Sequence, residues 1–405
     1  MSIERIPAAV LAHVLTVEDD MVRLRRDIHR DPELSWQETR TTGRIRERLE
    51  IAGLSPRPLV PTGLVLDLGP TDPTYRVGLR ADIDALPLLE KTGLPFRSRT
   101  EGVSHACGHD VHTAALYGAT LALHARRDEL DARGLGVRII FQPAEETMPG
   151  GATRLVEAGL LDDLDAVFAL HCDPGRDVGY VGLKRGPITA ASDQVTVRLT
   201  GPGGHTSRPH LTADLVYALG HLATALPGAI SRRLDPRAGA ALVWGSISGG
   251  SAPNVIPDEG CVSGTLRILD VVAWERARPL VVELVEQIVA PFGVTAHVDY
   301  TRGVPPVVNS PDGADAMRIA VSEALGGAAV QAAQQSLGGE DFAWMLLDRG
   351  GAYARLGTRA PGGPTYDLHR GDLVVDERAV LVGAKVLAAL PFASLAVREA
   401  ERELG

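Results

Sequence analysis

The sequence predicts an α/β protein, with a mostly parallel, doubly wound catalytic domain interrupted by an inserted ferredoxin-like α+β domain of order βαββαβ. Three observations carry this. Short apolar runs alternate with helical stretches at both ends of the chain, as strands and crossover helices of a parallel sheet do. Polar residues of chemical interest stand at the ends of those runs. Near residue 190 the pattern changes to strands that alternate apolar and polar residues. At 405 residues the chain is also too long for one typical core.

The elements follow in order. "VEDDMVRLRRDIHRDPELSWQETRTTGRIRERLEIAGL" predicts two helices around a break at Asp31-Pro32, because proline cannot continue a helix. "YRVGLRADIDALP" is a short apolar run ending in Asp82 and Asp84, like a buried strand that delivers side chains from its C-terminal end. A Gly/His loop over 104–110 leads into a helix from about Val111 through Arg126, with Asp110 as its N-cap. "GVRIIFQPAEE" predicts a second buried strand, Gly136 to Phe141, and "DAVFALHCDP" a third. In such sheets ligands bind at the carboxyl ends of the strands.

The insertion begins with the half-exposed strand "SDQVTVRLTG". A helix over about Ala213 to Ala225, the strands "AALVWGSISGG" and "GCVSGTLRILD", a long helix through "WERARPLVVELVEQIVAPFG" and the strand "VTAHVDYTRG" complete it. The expected division is 1–188 and 303–405 for a discontinuous catalytic domain, with 189–302 as a lid and dimerisation domain.

Bulk properties narrow the partners. The formal net charge of −10 argues against nucleic acid and anionic membrane, which need basic surface. No signal peptide is read at the N-terminus, and no run of about 18 apolar residues is read as a membrane span. The three cysteines, Cys107, Cys172 and Cys261, are odd in number and widely spaced, which fits a reducing, cytoplasmic setting better than a disulfide framework.

The chemistry gathers at the strand ends. Cys107 and His109 are two apart in "SHACGHDVHTAAL"; Glu145 and Glu146 follow a strand directly; His171 ends the third strand; His369 lies far downstream in "YDLHRGD". Taken singly, each has an ordinary reading: a solvated acid pair, a satisfied strand-end histidine, a small buried thiol. Together on one sheet edge they make a borderline-to-soft site for a divalent ion, compatible with Zn, Mn, Ni or Co. Two such ions roughly 3.5–4 Å apart suit amide hydrolysis. Adjacent glutamates point in different directions, so one can bind metal while the other handles the proton of the attacking water. A Cys107 nucleophile activated by His109 or His112 is the rival, and it leaves Glu145, Glu146, His171 and His369 without work. A non-catalytic binding protein on the same fold is a further alternative.

At these residues the sequence resembles the di-metal amidohydrolases and peptidases that include aminoacylases, hippurate hydrolases and auxin–amino acid conjugate hydrolases. The motifs run along nearly the whole chain: "RRDIHRDPELSWQE", "LRADIDALP", "HACGHDVHTAAL", "FQPAEE", "ALHCDP", "GPGGHTSRP", "GGSAPNVIPDEG", "GTLR", "GGEDF" and "DLHRGDLVVDE". The resemblance implies one or two divalent ions per subunit held by Cys107, His109, Glu146, His171 and His369, with Glu145 as the general base. It implies that Asp84 holds a ligand in place, that His205 helps hold the substrate carbonyl, and that Asn254 and Arg267 contact substrate. A guanidinium fork suits a substrate carboxylate. Peptidase branches carry a His-x-Asp motif where this chain has Asp82-x-Asp84, which the resemblance reads against aminopeptidase and carboxypeptidase activity; an N-acyl amino acid amidohydrolase is expected, with a dipeptidase as the less favoured alternative. The resemblance also implies a homodimer or higher homo-oligomer. His105 and His112 are read as support for the loop and helix, and Glu340 and Asp341 are left without a role.

Overall fold

A computed structural model describes residues 6–404. The chain divides into two compact units: Met1–Ile188, Val308–Gln335 and Asp341–Gly405 form the larger, Thr189–Val307 and Ser336–Glu340 the smaller.

The larger unit opens with three helices, α1 (Ala8–Thr16), α2 (Glu18–Arg30) and α3 (Thr39–Ile51). Met21, Leu24 and Ile28, spaced three and four apart, give α2 a fully buried stripe. Next come β1 (Arg57–Pro58), β2 (Leu64–Leu68), β3 (Tyr75–Asp82), α4 (His109–Ala125), α5 (Arg127–Ala132), β4 (Leu135–Gln142), α6 (Gly151–Glu157), β5 (Ala166–Asp177), β6 (Val181–Leu183) and β7 (Gly186–Pro187).

The smaller unit then supplies β8 (Ala191–Thr200), β9 (Gly204–His205), α7 (Leu215–Arg233), β10 (Ala241–Gly249), β11 (Val255–Ile256), β12 (Glu259–Ile268), α8 (Val271–Val289) and β13 (Thr295–Val304). Its four-stranded sheet is antiparallel throughout, in the order β10-β12-β8-β13. With α7 and α8 as crossovers this is the ferredoxin-like βαββαβ arrangement. Asp214 and Asp270 cap the two helices, each carboxylate accepting a backbone N–H of the first turn.

The chain returns to the larger unit as β14 (Val308–Asn309), α9 (Pro311–Leu325), β15 (Val330–Ala332), α10 (Ala343–Leu346), β16 (Gly350–Arg359) and α11 (Arg378–Leu404). The main sheet has the order β1-β2-β4-β3-β5-β16-β6-β15. Its centre, β4-β3-β5-β16, is parallel, and antiparallel pairs enter at the flanks through β1–β2, β2–β4 and β16–β6. Every residue of β4 is buried, and apart from Arg138 and the terminal Gln142 it reads as an apolar run. Burying Val137, Ile139 and Phe141 stabilises the fold by about 1.5–3 kcal/mol per side chain. The parallel register sets Asp82 beside Gln142 and so aligns the carboxyl ends of β3 and β4.

Several expectations need correction. α4 begins at His109, not Val111, and its N-cap is Gly108, whose left-handed φ of 87° breaks the preceding chain. Asp110 caps nothing: it lies in the first turn and pairs with Arg25 and His29. The smaller unit ends at Val307, where the backbone N–H donates to Thr189 Oγ1 at 3.0 Å, and residues 336–340 rejoin it through Ala190 N–H and Gly338 O. α11 does contain an 18-residue window apolar enough to cross a membrane, with mean hydropathy 2.1; 72% of that window is buried inside the chain. A helix packed against α1, α4 and α9 needs apolar residues on every side, so it carries the composition of a span while serving as a core helix.

Candidate metal centre

The site is built where β3 and β4 end, α4 begins and β5 passes: His171, expected to end the third strand, lies in the middle of β5, which stays paired with β16 as far as Asp177. Gly108 lets Cys107 and His109 face inward: a Cβ there would stand 2.7 Å from Cys172 Sγ, and the backbone is left-handed. The ligand atoms of Cys107, His109 and His171 lie within 4.8 Å of one another, all buried. Cys107 Sγ is 3.4 Å from His171 Nε2. His171 Nδ1 donates to the carbonyl of Cys172 at 2.9 Å, and His109 Nδ1 donates to the carbonyl of Asp84 at 2.9 Å. A carbonyl only accepts, so in each neutral ring Nε2 is left as a lone-pair donor.

Glu145 and Glu146 follow a turn at Ala144, whose φ of 55° is unusual for a residue with a side chain. Buried Glu38 holds that turn by accepting the Ala144 N–H at 2.8 Å. Glu146 Oε1 stands 3.7 Å from His109 Nε2 and 3.3 Å from His369 Nε2. His369 is exposed, adopts φ 58°, and donates its backbone N–H to Ala106 O at 2.8 Å, next to Cys107. Cys107, Glu146 and His369 form a second group within 4.8 Å, and His109, Glu145 and Glu146 a third. Asp84 ties the arrangement together. It takes His109 Nδ1 at 3.2 Å on one oxygen, and Ser35 Oγ at 2.7 Å and the Glu146 N–H at 3.0 Å on the other.

The electrostatics favour a cation. Burial disfavours the charged His109 ring, but Asp82, Asp84 and Glu146 outweigh it and raise its pKa to about 10. Burial pushes the Cys107 thiol up, and Glu146, Glu145 and Asp82 add to it. His171 is held neutral by burial, with His112 and Arg355 adding to the effect. His109 Nε2 and Glu146 Oε1 are both buried and have no hydrogen-bond partner. Asp82, Asp84 and Glu146 around the buried His109 ring call for a positive charge at this point, which a proton on the ring or a bound cation supplies. The donor set therefore fits divalent ions, and the overlapping groups support a two-metal centre.

Not every expected residue joins this cluster. His112, close to Asp82 and His109, has both ring nitrogens committed: Nδ1 to Asp82 Oδ1 at 2.6 Å, Nε2 to the Cys172 N–H at 2.8 Å. Burial keeps His105 neutral, lowering its pKa to about 4. His205, Asn254 and Arg267 belong to the smaller unit. His205 and Asn254 are brought together there, with Thr206 N–H donating to Asn254 O at 3.3 Å, and the exposed His205 Nδ1 accepts from Ser207 Oγ at 2.9 Å. Arg267 sits near the end of β12, half-buried, opposite Ser192. Arg80, Gln142 and Asp341, unassigned from sequence, form a buried network behind Asp82. The available signal was Arg80 itself, a cation set between the apolar Leu79 and Ala81 and two residues before Asp82.

A buried Cys/His/Glu cluster at the carboxyl edge of an α/β sheet, with a second carboxylate beside it, defines a metal-dependent hydrolase. Residues 78–392 match the profile described as Peptidase family M20/M25/M40, and the chain belongs to that family. The N-acetyl-L-cysteine deacetylase of Bacillus subtilis (strain 168) is 39% identical over 369 residues, covering 90% of this chain and 86% of that protein. A Rhodococcus jostii (strain RHA1) protein named "Putative glutamate--cysteine ligase 2-3" is 46% identical over 92% of this chain, which spans 46% of that protein's length. Among solved structures, the Bacillus subtilis YXEP protein, described as a dinuclear metal binding peptidase from the M20 family, aligns with a TM-score of 0.81 and 32% identity, covering 95% of this chain and 99% of that one.

Proposed function

We propose that this protein cleaves the amide bond of small N-acyl amino acids, N-acetyl, N-benzoyl or related conjugates, as an amidohydrolase. The observation that carries it is the set of overlapping ligand groups, Cys107, His109 and His171, then Cys107, Glu146 and His369, with Glu145 within reach of His109 and Glu146. The names of relatives support the substrate class: an N-acetylcysteine deacetylase of Bacillus subtilis (strain 168), 35% identical, and an N-acetyldiaminopimelate deacetylase of Geobacillus sp. (strain WCH70), 34% identical. The ligase name belongs to a protein of which this chain spans less than half, and ligation is not proposed.

Cys107, His109, Glu146, His171 and His369 would hold the ions, Zn, Mn, Ni or Co. When bound, these supply Lewis acidity toward the scissile carbonyl and acidify the attacking water. Asp84 fixes the ring of His109 and the backbone of Glu146. Glu145 takes the proton of the water and delivers it to the leaving nitrogen. His205 donates to the oxyanion as it develops, Arg267 pairs the substrate carboxylate, and Asn254 contacts the acyl amino acid. The enzyme is expected to be cytoplasmic and a homodimer. Support for the dimer is β10, an edge strand of the smaller sheet with Val243 and Ile247 exposed, together with exposed Val216 and Tyr217 on α7.

The test is a screen of N-acetyl, N-benzoyl and indoleacetyl amino acids after metal reconstitution, with the released amines quantified. Glu145→Gln should lower kcat by about 10²–10⁴-fold while metal content stays unchanged. Unchanged turnover in that variant, or cleavage of dipeptides alone, would overturn the reading.

A further inference from the structure

Asp341 opens the last stretch of the larger unit and is 1% exposed. Its carboxylate accepts from three elements: Arg80 Nη2 of β3 at 2.8 Å, Gln142 Nε2 of β4 at 2.9 and 2.7 Å, and the Ala152 N–H of α6 at 3.0 Å. It is also seated against backbone at Gly150, and its carboxylate lies within 4.8 Å of that of Glu145. A Cβ on Gly150, which has φ 88°, would lie 2.3 Å from Asp341 Oδ2.

Arg80 is fully buried and spends its fork three ways: Nη2 on Asp341, Nε on Gln142 Oε1 at 2.9 Å and Nη1 on Asp82 Oδ2 at 2.7 Å. The other oxygen of Asp82 receives His112 Nδ1, and His112 Nε2 receives the N–H of Cys172, the residue after His171. Asp82 Oδ2 is also 3.8 Å from His109 Nε2. One unbroken chain of hydrogen bonds thus runs from Asp341 to the backbone beside His171 and passes close to the His109 ring.

Charges buried this deeply cost desolvation that their mutual attraction only partly offsets, and apolar packing of the same volume would be as stable or more so. What the chain supplies is position. Guanidinium geometry fixes Asp82 and Gln142 in one plane, and Asp82 fixes the tautomer and tilt of His112.

We propose that Asp341 and Arg80 are positioning residues of the metal centre, which hold the carboxyl ends of β3 and β4 against the middle of β5 so that His109 and His171 stand in ligating geometry. This rests on the reading of Cys107, His109 and His171 as ligands, and the experiment separates the two. Co²⁺ is titrated into chelator-stripped protein against a competing chelator, following the thiolate-to-cobalt absorption band, with circular dichroism as a check on folding. Wild type should show the band; its absence would overturn the ligand reading itself. Folded Asp341→Asn should bind Co²⁺ about 10–100-fold more weakly, with an altered band. Arg80→Lys should fall between the two, since an ammonium keeps the charge but not the three-way fork. A purely structural role would lower the melting temperature and leave Co²⁺ affinity and spectrum unchanged in the folded variant, and that result overturns the proposal. Should Asp341→Asn fail to fold, Gln142→Met, of similar volume, decides in the same way.

Discussion

The candidate residues of the two units are held in opposite ways. In the larger unit Cys107, His109 and His171 are buried, and both rings have Nδ1 committed to a carbonyl before any ion or substrate arrives. In the smaller unit His205 and Asn254 are exposed, and His205 bonds Ser207 only two residues along the chain. A desolvated, locked donor set stabilises a cation strongly because little reorganisation remains. An exposed imidazole on a short Gly-rich turn, held only by Ser207, has less fixing its position. The candidate metal ligands are buried and locked, and the candidate residues of the smaller unit are exposed.

Truncating one residue from each unit tests that contrast. His109→Ala should lose tightly bound metal and, with it, more than about 10³-fold in kcat/KM, because a buried ligand position is emptied next to unpaired Glu146. His205→Ala should retain wild-type metal content and lose about 10²-fold in kcat, the scale for one oxyanion donor. Metal analysis by atomic emission on both variants, beside steady-state kinetics, reads the difference. Metal loss in His205→Ala as severe as in His109→Ala would break the comparison.

How much of this was legible in the sequence follows from the same physics. The ends of β3 and β4 and their polar residues could be read because these strands are mostly apolar until they reach the ligand edge, as "GVRIIF" before "QPAEE" illustrates, whereas β5 runs past His171 to Asp177. The ferredoxin-like order could be read because β8 alternates buried and exposed residues along its length. The start of α4 could not, since Asp110 looks like a cap by type, and only the fold shows that Arg25 and His29 claim it. The return of 336–340 to the smaller unit includes the bond from Ala190 N–H to Gly338 O, a backbone contact that carries no residue preference. Asp341 was passed over for a similar reason. Its partners are 261, 199 and 189 positions away in sequence, at Arg80, Gln142 and Ala152, and no local pattern encodes them.

A last, smaller effect sharpens the claim that the larger unit is rigid by charge as well as by packing. Asp110, one residue past His109, is buried against Arg25 at 2.8 Å and His29 Nδ1 at 2.9 Å, and His29 Nε2 faces Glu90 at 3.3 Å. Burial disfavours the imidazolium, yet Asp110 and Glu90 outweigh it and raise the His29 pKa to about 9. The folded state therefore holds a proton that the unfolded chain releases near pH 6.5. The stabilisation is fully present below about 6.5, falls as pH rises, and is gone above about 9; its ceiling is on the order of 3 kcal/mol. Glu90 works at the other end. Its pKa is lowered to about 2, with burial opposing the charge and the bonds from His29, Ser98 and Thr92 outweighing it, so its contribution is present above about 4.5 and lost as pH falls through 2. Urea unfolding of wild type and His29→Gln at pH 6 and pH 9.5 measures the linkage. The gap between the two proteins should be widest at pH 6 and close at pH 9.5, and a gap that does not change with pH would mean that His29 carries no extra proton in the folded state.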